Sequence, residues 1–282
     1  MRYLFAWLLA WNAWAATASL DGKQIYYRAE GKGSDTLLFI HGWSCNETFF
    51  LPQMEEFRKS YRVIALDLPG HGKSEAFPQL SIDLFARAVE GVRAQEKAAR
   101  PVLIGHSLGA VIARQHGRRY PGVARGFILL DGSIFELPPD AAGRERWSEM
   151  IQALSRRFSP TLEKKVRERN VSEFLSNMYS PATPREFQLM VLGQVLQTKP
   201  ETSEGAMRAL GDLSLWDGLA LSQPTLAIRA GRQAPPGEEA FLRRLFPSLR
   251  YKFWEGVSHF LQLEKPEETN REITEFLRSQ AK

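Results

Sequence analysis

The chain has 282 residues, of which 44% are hydrophobic and 24% charged, and its formal net charge at pH 7 is +5. This length suffices for one large α/β domain with an inserted segment and a well-buried core. The basic residues form only short pairs, such as Arg156-Arg157, with no long Lys/Arg block and no basic stripe interleaved with aromatic residues. This distribution excludes the usual sequence signature of a nucleic-acid-binding protein, and we expect no nucleic acid as a partner.

The N-terminal segment has the composition of a secretory signal peptide. A positive start, Met1-Arg2, is followed by an apolar run over residues 3–16. That run is shorter than the roughly 18–20 residues that a membrane-spanning helix needs. Small residues at alternate positions suit cleavage after Ala15 or Ala18. We therefore expect residues 1–18 to be a signal peptide, and the mature chain to be exported to the periplasm or secreted, with no stable membrane span.

The next part of the chain alternates between short apolar runs typical of buried strands and amphipathic stretches typical of helices. A hairpin is predicted over residues 19–28, where Asp21-Gly22 is a turn signal. The predicted parallel strands cover residues 36–40, 61–66, 101–104, 126–130, 225–230 and 250–254. The predicted helices between and after them cover residues 50–57, 81–98, 108–120, 238–246 and 267–278.

A block of about 75 residues interrupts this alternation. From residue 138 to about residue 212 no strand-like run occurs, and prolines separate four amphipathic helices. These helices are predicted at about 144–157, 162–178, 184–197 and 203–210. The block lies between two core strands, so we expect residues 137–212 to form a helical cap. The core is then made of residues 19–136 and 213–282.

Alternating strands and helices predict a mostly parallel twisted sheet with helices on both faces, which is an α/β fold. In such sheets the ligand site lies beyond the carboxyl ends of the strands. The polar residues that follow the predicted strands are His41, Asp67, Ser107, Asp131 and His259. We expect these residues to meet at one edge of the sheet, beneath the cap.

The most informative stretch is Gly105-His106-Ser107-Leu108-Gly109, which has the G-x-S-x-G pattern of a nucleophile elbow. An apolar strand precedes it and a helix follows it. The serine is therefore predicted on a sharp turn whose glycine neighbours avoid clashes, with its hydroxyl exposed above the sheet. The N-terminus of the following helix would point at negative charge developing there.

The chain resembles the α/β-hydrolase superfamily, as a serine esterase-like member with a helical cap. The resemblance covers nearly all of the mature chain and implies a serine nucleophile, a histidine base, an acid and an oxyanion hole. It rests on four motifs in chain order, which are His41-Gly42-Trp43, Asp67-Leu68-Pro69-Gly70-His71-Gly72-Lys73-Ser74, Gly105-His106-Ser107-Leu108-Gly109-Ala110, and Val257-Ser258-His259-Phe260 followed by Glu264-Lys265-Pro266.

Four roles follow from this resemblance. Ser107 is the expected nucleophile, and His259, after the last core strand, is the base that takes its proton. The backbone N–H groups of Trp43 and Leu108 are the expected oxyanion-hole donors. His106 is expected to pack beside the elbow with its side chain pointing away from the serine.

The acid departs from the family's usual pattern. The superfamily usually places an aspartate after the strand at residues 225–230, where this chain has Gln233. Asp131, which follows the strand after the nucleophile helix, is our candidate, since some members of the superfamily carry their acid there. Two alternatives stay open: Asp131 caps backbone N–H groups in its loop, or Glu238 or Glu239 supplies the carboxylate.

We therefore expect an exported serine hydrolase that cleaves a carboxylic ester through a Ser-His-Asp triad and an acyl-enzyme. Aromatic and aliphatic residues in the cap favour a small-molecule ester with an apolar portion, although most of them could simply pack the cap onto the core. A lactonase or acyltransferase would use the same machinery, and Gln233 motivates a third alternative, a catalytically weak ligand-binding homologue. No metal-ligand spacing, dinucleotide loop or P-loop is present, so no cofactor is expected.

Overall fold

The computed structural model describes residues 14–280, and an eight-stranded sheet forms its centre. The strand order is β1-β2-β4-β3-β5-β6-β7-β8. Strands β3 to β8 pair in parallel, whereas β2 pairs antiparallel with both β1 and β4. The strands are β1 (Trp14–Leu20), β2 (Lys23–Glu30), β3 (Thr36–Ile40), β4 (Arg62–Leu66), β5 (Val102–His106), β6 (Gly126–Leu130), β7 (Thr225–Gly231) and β8 (Leu249–Glu255). The predicted fold class is confirmed.

Ten α-helices and two short 3₁₀ segments (Glu47–Phe50 and Leu213–Trp216) join these strands within residues 14–280. The α-helices are α1 (Leu51–Phe57), α2 (Ile82–Gln95), α3 (Leu108–Arg119), α4 (Ala141–Arg156), α5 (Lys164–Ser176), α6 (Arg185–Val195), α7 (Pro200–Ala209), α8 (Glu238–Leu245), α9 (Leu261–Glu264) and α10 (Pro266–Ser279). Helices α4 to α7 lie between β6 and β7, within a few residues of the four helices predicted for the cap.

The central strands are buried on both faces because helices cover the sheet from both sides. Along β3, Leu37 and Phe39 point into one apolar layer, while Leu38 and Ile40 point into the other. The first layer also contains side chains of α1 and α10, and the second contains those of α2 and α3. Continuous apolar strands of this kind are what a covered parallel sheet requires.

Strand β1 begins earlier than the predicted hairpin. It is an edge strand that pairs with β2 across the turn at Asp21-Gly22, whose φ values of 49° and 79° are both positive. Cleavage after Ala15 would remove two of its seven residues, and cleavage after Ala18 would remove five. Residues 1–13 of the predicted signal peptide lie outside the described residues, so the signal peptide stays a prediction. Within residues 14–280, no helix is long and apolar enough to cross a bilayer.

Candidate active site

Ser107 lies on a sharp turn between β5 and α3. Its φ and ψ are 54° and −117°, a conformation that non-glycine residues rarely adopt. A Cβ atom on Gly105 would lie 2.3 Å from the carbonyl oxygen of Gly109, and one on Gly109 would lie 2.0 Å from the carbonyl oxygen of Ile40. Both positions therefore require glycine, and the strand, turn and helix have the geometry of a nucleophile elbow.

The hydroxyl of Ser107 contacts the loop after β6. Its Oγ lies 3.3 Å from Ser133 Oγ, and the Ser133 N–H donates to the carbonyl of Ser107 at 3.2 Å. Among residues 14–280, no hydrogen bond links Ser107 Oγ directly to His259. Catalytic hydrogen bonds are often long or absent before substrate binds, so this geometry is compatible with Ser107 and His259 as a nucleophile–base pair.

His259 lies in the loop between β8 and α9, and three contacts hold it. Its N–H donates to the carbonyl of Met178 in the cap at 2.8 Å, and its own carbonyl accepts from His106 Nε2 at 2.9 Å. Its ring Nδ1 lies 2.5 Å from Asp131 Oδ2. Burial and the neighbouring His259 lower the pKa of His106 to about 3, so His106 is neutral and structural.

Asp131 occupies the end of β6 with a positive φ of 43°. Its second oxygen, Oδ1, accepts from the Ala230 N–H at 3.1 Å and forms an ion pair with Arg229, whose Nη1 lies 2.8 Å away. Burial alone would raise the pKa of this carboxyl. The pairing with His259 and Arg229 and the Ala230 N–H outweigh burial and lower it below its ordinary value, so Asp131 is ionised at neutral pH.

The alternative acids bind elsewhere. Glu238 pairs with Arg229 at 2.9 Å, and Glu239 pairs with Arg243 at 2.7 Å. Gln233 is exposed and makes no hydrogen bond with another described residue. Asp131 accepts from the Ala230 N–H and also contacts the His259 ring, so the capping contact and the contact with the candidate base occur together.

The loop after β3 lies directly against the nucleophile. A Cβ atom on Gly42 would lie 3.1 Å from Ser107 Cβ. His41 is fully buried, donates from Nδ1 to the carbonyl of Gly42 at 2.8 Å and accepts from Leu68 N–H at 3.0 Å. This ring fixes the loop. Within the described part of the chain, the backbone N–H of Trp43 has no hydrogen-bond acceptor.

The second expected oxyanion donor belongs to Leu108, the first residue of α3. The first N–H groups of a helix have no partner within the helix. The Leu108 N–H is therefore available at the positive end of the α3 dipole, next to the serine.

Comparison with known proteins gives the family. The sequence profile described as "Alpha/beta hydrolase family" matches residues 37–272. The chain belongs to the α/β-hydrolase family. The match spans the oxyanion loop, the elbow, the cap and the histidine loop, so the resemblance seen in the motifs is confirmed at the level of the family.

Three individual proteins show how this α/β hydrolase relates to others. It is 24% identical over 261 residues to a pimeloyl-[acyl-carrier protein] methyl ester esterase of Yersinia enterocolitica, covering 90% of this chain and 97% of that protein. A malate-bound thermophilic esterase from Thermogutta terrifontis superposes with a TM-score of 0.80 at 23% identity, covering 95% of this chain and 99% of the other. An N-acyl homoserine lactone degrading enzyme superposes with a TM-score of 0.72 at 23% identity, covering 93% and 100%.

A cavity of about 410 Å³ borders the Asp131–His259 pair of this hydrolase. Its other walls are the cap segment 176–180, residues 230–232 and Val257. Two aromatic cap residues, Phe158 and Phe174, do not line this cavity. They pack on Trp43, with their ring centroids 4.5 and 5.1 Å, respectively, from that of Trp43. These two side chains hold the cap on the core. Within residues 14–280 no cluster of three His, Cys, Asp or Glu side chains could hold a metal ion.

Three contacts of the site were not anticipated from the sequence. Ser133 contacts Ser107, Met178 holds the His259 loop from the cap, and Arg229 forms an ion pair with Asp131. Arg229 had a usable signal, because it is a charged residue at the end of the otherwise apolar run that forms β7. Ser133 and Met178 had none, since only the packing of the cap and the β6 loop brings them to the site.

Proposed function

We propose that this protein is a serine hydrolase that cleaves carboxylic esters through an acyl-enzyme, with Ser107, His259 and Asp131 as its triad. The observation that carries the proposal is the 2.5 Å contact between His259 Nδ1 and Asp131 Oδ2 at the sheet edge that also presents the elbow serine. An ionised carboxylate on Nδ1 keeps the proton on that nitrogen. The lone pair of Nε2 is then free to accept a proton from the serine.

The reaction follows the usual order for such a triad. Ser107 Oγ leaves Ser133, turns toward His259 and attacks the ester carbonyl, while His259 Nε2 takes the hydroxyl proton. The tetrahedral intermediate collapses when the imidazolium protonates the departing alcohol oxygen, which leaves an acyl-serine. Water then attacks the acyl-serine with His259 again as base, and the carboxylic acid is released.

The developing negative charge needs donors that are already in place. The N–H groups of Trp43 and Leu108 flank the serine, and each such donor typically contributes about 3 kcal/mol to transition-state stabilisation. His41 holds the first donor's loop, and the start of α3 carries the second. Charge that develops on the carbonyl oxygen would therefore meet fixed dipoles.

We propose a small ester as substrate, with the methyl ester of an acyl chain as the first class to test. The curated relative from Yersinia carries methyl ester hydrolysis in its name, which supports this choice. Lactone hydrolysis is the second candidate, because a structurally similar protein degrades N-acyl homoserine lactones. Open-chain and cyclic esters with matched acyl groups separate the two candidates, and added alcohols reveal acyl transfer.

The test compares wild type with Ser107→Ala on p-nitrophenyl and methyl esters of increasing acyl length. Wild type is expected to turn over and to be labelled by a fluorophosphonate probe at Ser107, and the variant to lose both properties. Turnover that survives in Ser107→Ala would remove Ser107 as nucleophile. A wild-type protein that neither turns over nor is labelled, but still binds esters, would instead support the weak ligand-binding homologue.

We also propose that the chain is exported. The support is the positive start, the short apolar run and the small residues at positions 13–18. N-terminal sequencing of the protein recovered from a periplasmic or culture fraction tests this proposal and locates the cleavage. Full-length chain found entirely inside the cell would contradict it. A new terminus at Ser19 would leave β1 with only two of its residues.

A further inference from the structure

Arg229 links the acid of the site to a second carboxylate. It follows the buried run 225–228 of β7, and its side chain is 16% exposed. The guanidinium contacts Asp131 Oδ1 at 2.8 Å, the carbonyl of Gly132 at 2.8 Å and Glu238 Oε1 at 2.9 Å. Tyr251 Oη donates to the other oxygen of Glu238 at 2.9 Å.

These contacts form a row of alternating charges that ends at the catalytic base. An imidazolium at His259 would face Asp131, whose other oxygen faces Arg229, which in turn faces Glu238. A guanidinium on the far side of Asp131 weakens the field that stabilises the imidazolium. Glu238 offsets that guanidinium, and so restores part of the field.

The position of Asp131 explains why such a clamp is useful. Asp131 has a positive φ, and it sits outside the loop where the family usually carries its acid. Arg229 grips both its carboxylate and the carbonyl of the next residue, Gly132. One side chain therefore fixes the rotamer of Asp131 together with the peptide that follows it.

We propose that Arg229 is a positioning residue for Asp131, and that Glu238, by neutralising Arg229, sets the electrostatic field at His259. This inference rests on the proposed hydrolytic function. Arg229 and Glu238 act through Asp131 and touch no substrate. The two residues have different roles. The Arg229 guanidinium fixes the position of the Asp131 carboxylate, and the Glu238 carboxylate offsets the positive charge of Arg229.

The signs of the two charge changes are opposite. In Glu238→Gln, Arg229 is no longer offset, the imidazolium is less stable, and the acidic limb of the kcat/KM–pH profile moves to lower pH. In Arg229→Gln a cation is lost while Glu238 keeps its charge, so the limb moves to higher pH. Because Asp131 lies between His259 and Arg229 in a partly solvated site, each shift is expected to be about 0.5–1 pH unit.

Other groups also face His259 and stay constant in both variants. They are Asp131 from β6, the neutral His106 from β5, Tyr179 from the cap through Phe260, and Arg232 across the cavity. Glu264, from α9, binds the N–H of the preceding Ser258. The difference between the two variants therefore reports on the row itself.

Geometry is read from kcat rather than from the pH profile. Arg229→Gln leaves Asp131 held by the Ala230 N–H and the His259 ring, but without its clamp. We expect kcat to fall about tenfold with KM nearly unchanged. Arg229→Lys keeps the charge with fewer directed donors, and is expected to recover part of kcat and to leave the acidic limb near its wild-type position.

Matched controls come from the same helix. Glu239 neighbours Glu238 on α8 but pairs with Arg243 at the surface, so Glu239→Gln and Arg243→Gln repeat the two charge changes away from the row. Shifts below about 0.2 pH unit are expected for both controls. Shifts of the same sign in Glu238→Gln and Arg229→Gln, or shifts no larger than those of the controls, overturn the proposal.

The imidazole signals of His259, followed by NMR against pH, repeat the measurement without turnover. Opposite shifts of their titration midpoint support the row even where no ester is hydrolysed, and that result would fault the proposed function alone. Thermal unfolding checks that the variants fold. If Arg229→Gln does not fold, the downward shift in Glu238→Gln, against Glu239→Gln, decides the proposal.

Discussion

The substitution Asp131→Asn tests the acid at the level of single hydrogen bonds. In wild type, Oδ1 accepts from the Ala230 N–H and forms an ion pair with Arg229, while Oδ2 accepts from the His259 Nδ1–H. An asparagine has only one acceptor oxygen. A guanidinium cation and a backbone N–H both disfavour an NH₂ group at the Oδ1 position, so we expect the amide oxygen to face Arg229 and the NH₂ group to face His259.

That orientation reverses the tautomer of the base. An NH₂ group that donates to Nδ1 requires the imidazole proton to sit on Nε2. A protonated Nε2 can no longer accept the serine proton. The stabilising charge beside the imidazolium is lost as well. Together these effects are expected to lower kcat by about 10³–10⁴, which corresponds to about 4–5.5 kcal/mol of transition-state stabilisation.

The assay is steady-state ester hydrolysis with fluorophosphonate labelling as a second readout. The fold should survive, because asparagine tolerates the positive φ of this position at least as well as aspartate. Gln233→Ala is the matched control, since Gln233 occupies the family's usual acid position but is exposed, and its activity should stay within about twofold of wild type. An Asp131→Asn enzyme within tenfold of wild type would refute the reasoning.

Two further predictions concern stability and the elbow. Burial, with Asp67 nearby, raises the pKa of Glu47 to about 7, so the contribution of Glu47 to stability falls as pH rises from about 4.5 to 7. Glu47→Gln should therefore raise the free energy of unfolding by about 2 kcal/mol at pH 8.5 and by almost nothing at pH 4.5, as measured in urea; equal effects at both pH values would contradict this. In Gly109→Ala the new methyl group would meet Ile40 O, so labelling of the serine and about 2 kcal/mol of stability should be lost. Gly193→Ala, with open space around it in α6, is the control and should keep the labelling and lose no stability; an unaffected Gly109→Ala would refute the steric argument.

Local patterns predicted most of the scaffold. The buried runs of β3 to β7 are continuous and mostly apolar, so their positions could be read to within a few residues. The elbow could also be predicted from its sequence. A serine that lies between two glycines, at the point where a strand turns into a helix, is restricted to one backbone conformation. His259 could be placed because any residue after the last parallel strand reaches the same sheet edge.

Contacts between distant segments could not be read in the same way. Asp131 was one of several open choices for the acid, and it is the approach of the β6 and β8 loops that brings it to His259. Arg229 was visible only as a charge that breaks the apolar run of β7. The start of β1 was hidden because its residues also suit the end of a signal peptide, and pairing with β2 decides their conformation.

The cap is hydrogen-bonded to the loops that carry the proposed catalytic groups. Near the start of α7, Ser203 binds the Trp43 indole N–H at 2.7 Å and the Ser44 hydroxyl at 2.8 Å, and Thr198 binds the carbonyl of Ser44. Near the end of α5, Met178 holds the histidine loop. Moving the cap away as a rigid body would therefore break the contacts that hold the Trp43–Ser44 loop and the His259 loop. We therefore expect substrates to enter through an opening of fixed width. That width, rather than the movement of a lid, would select substrates by size.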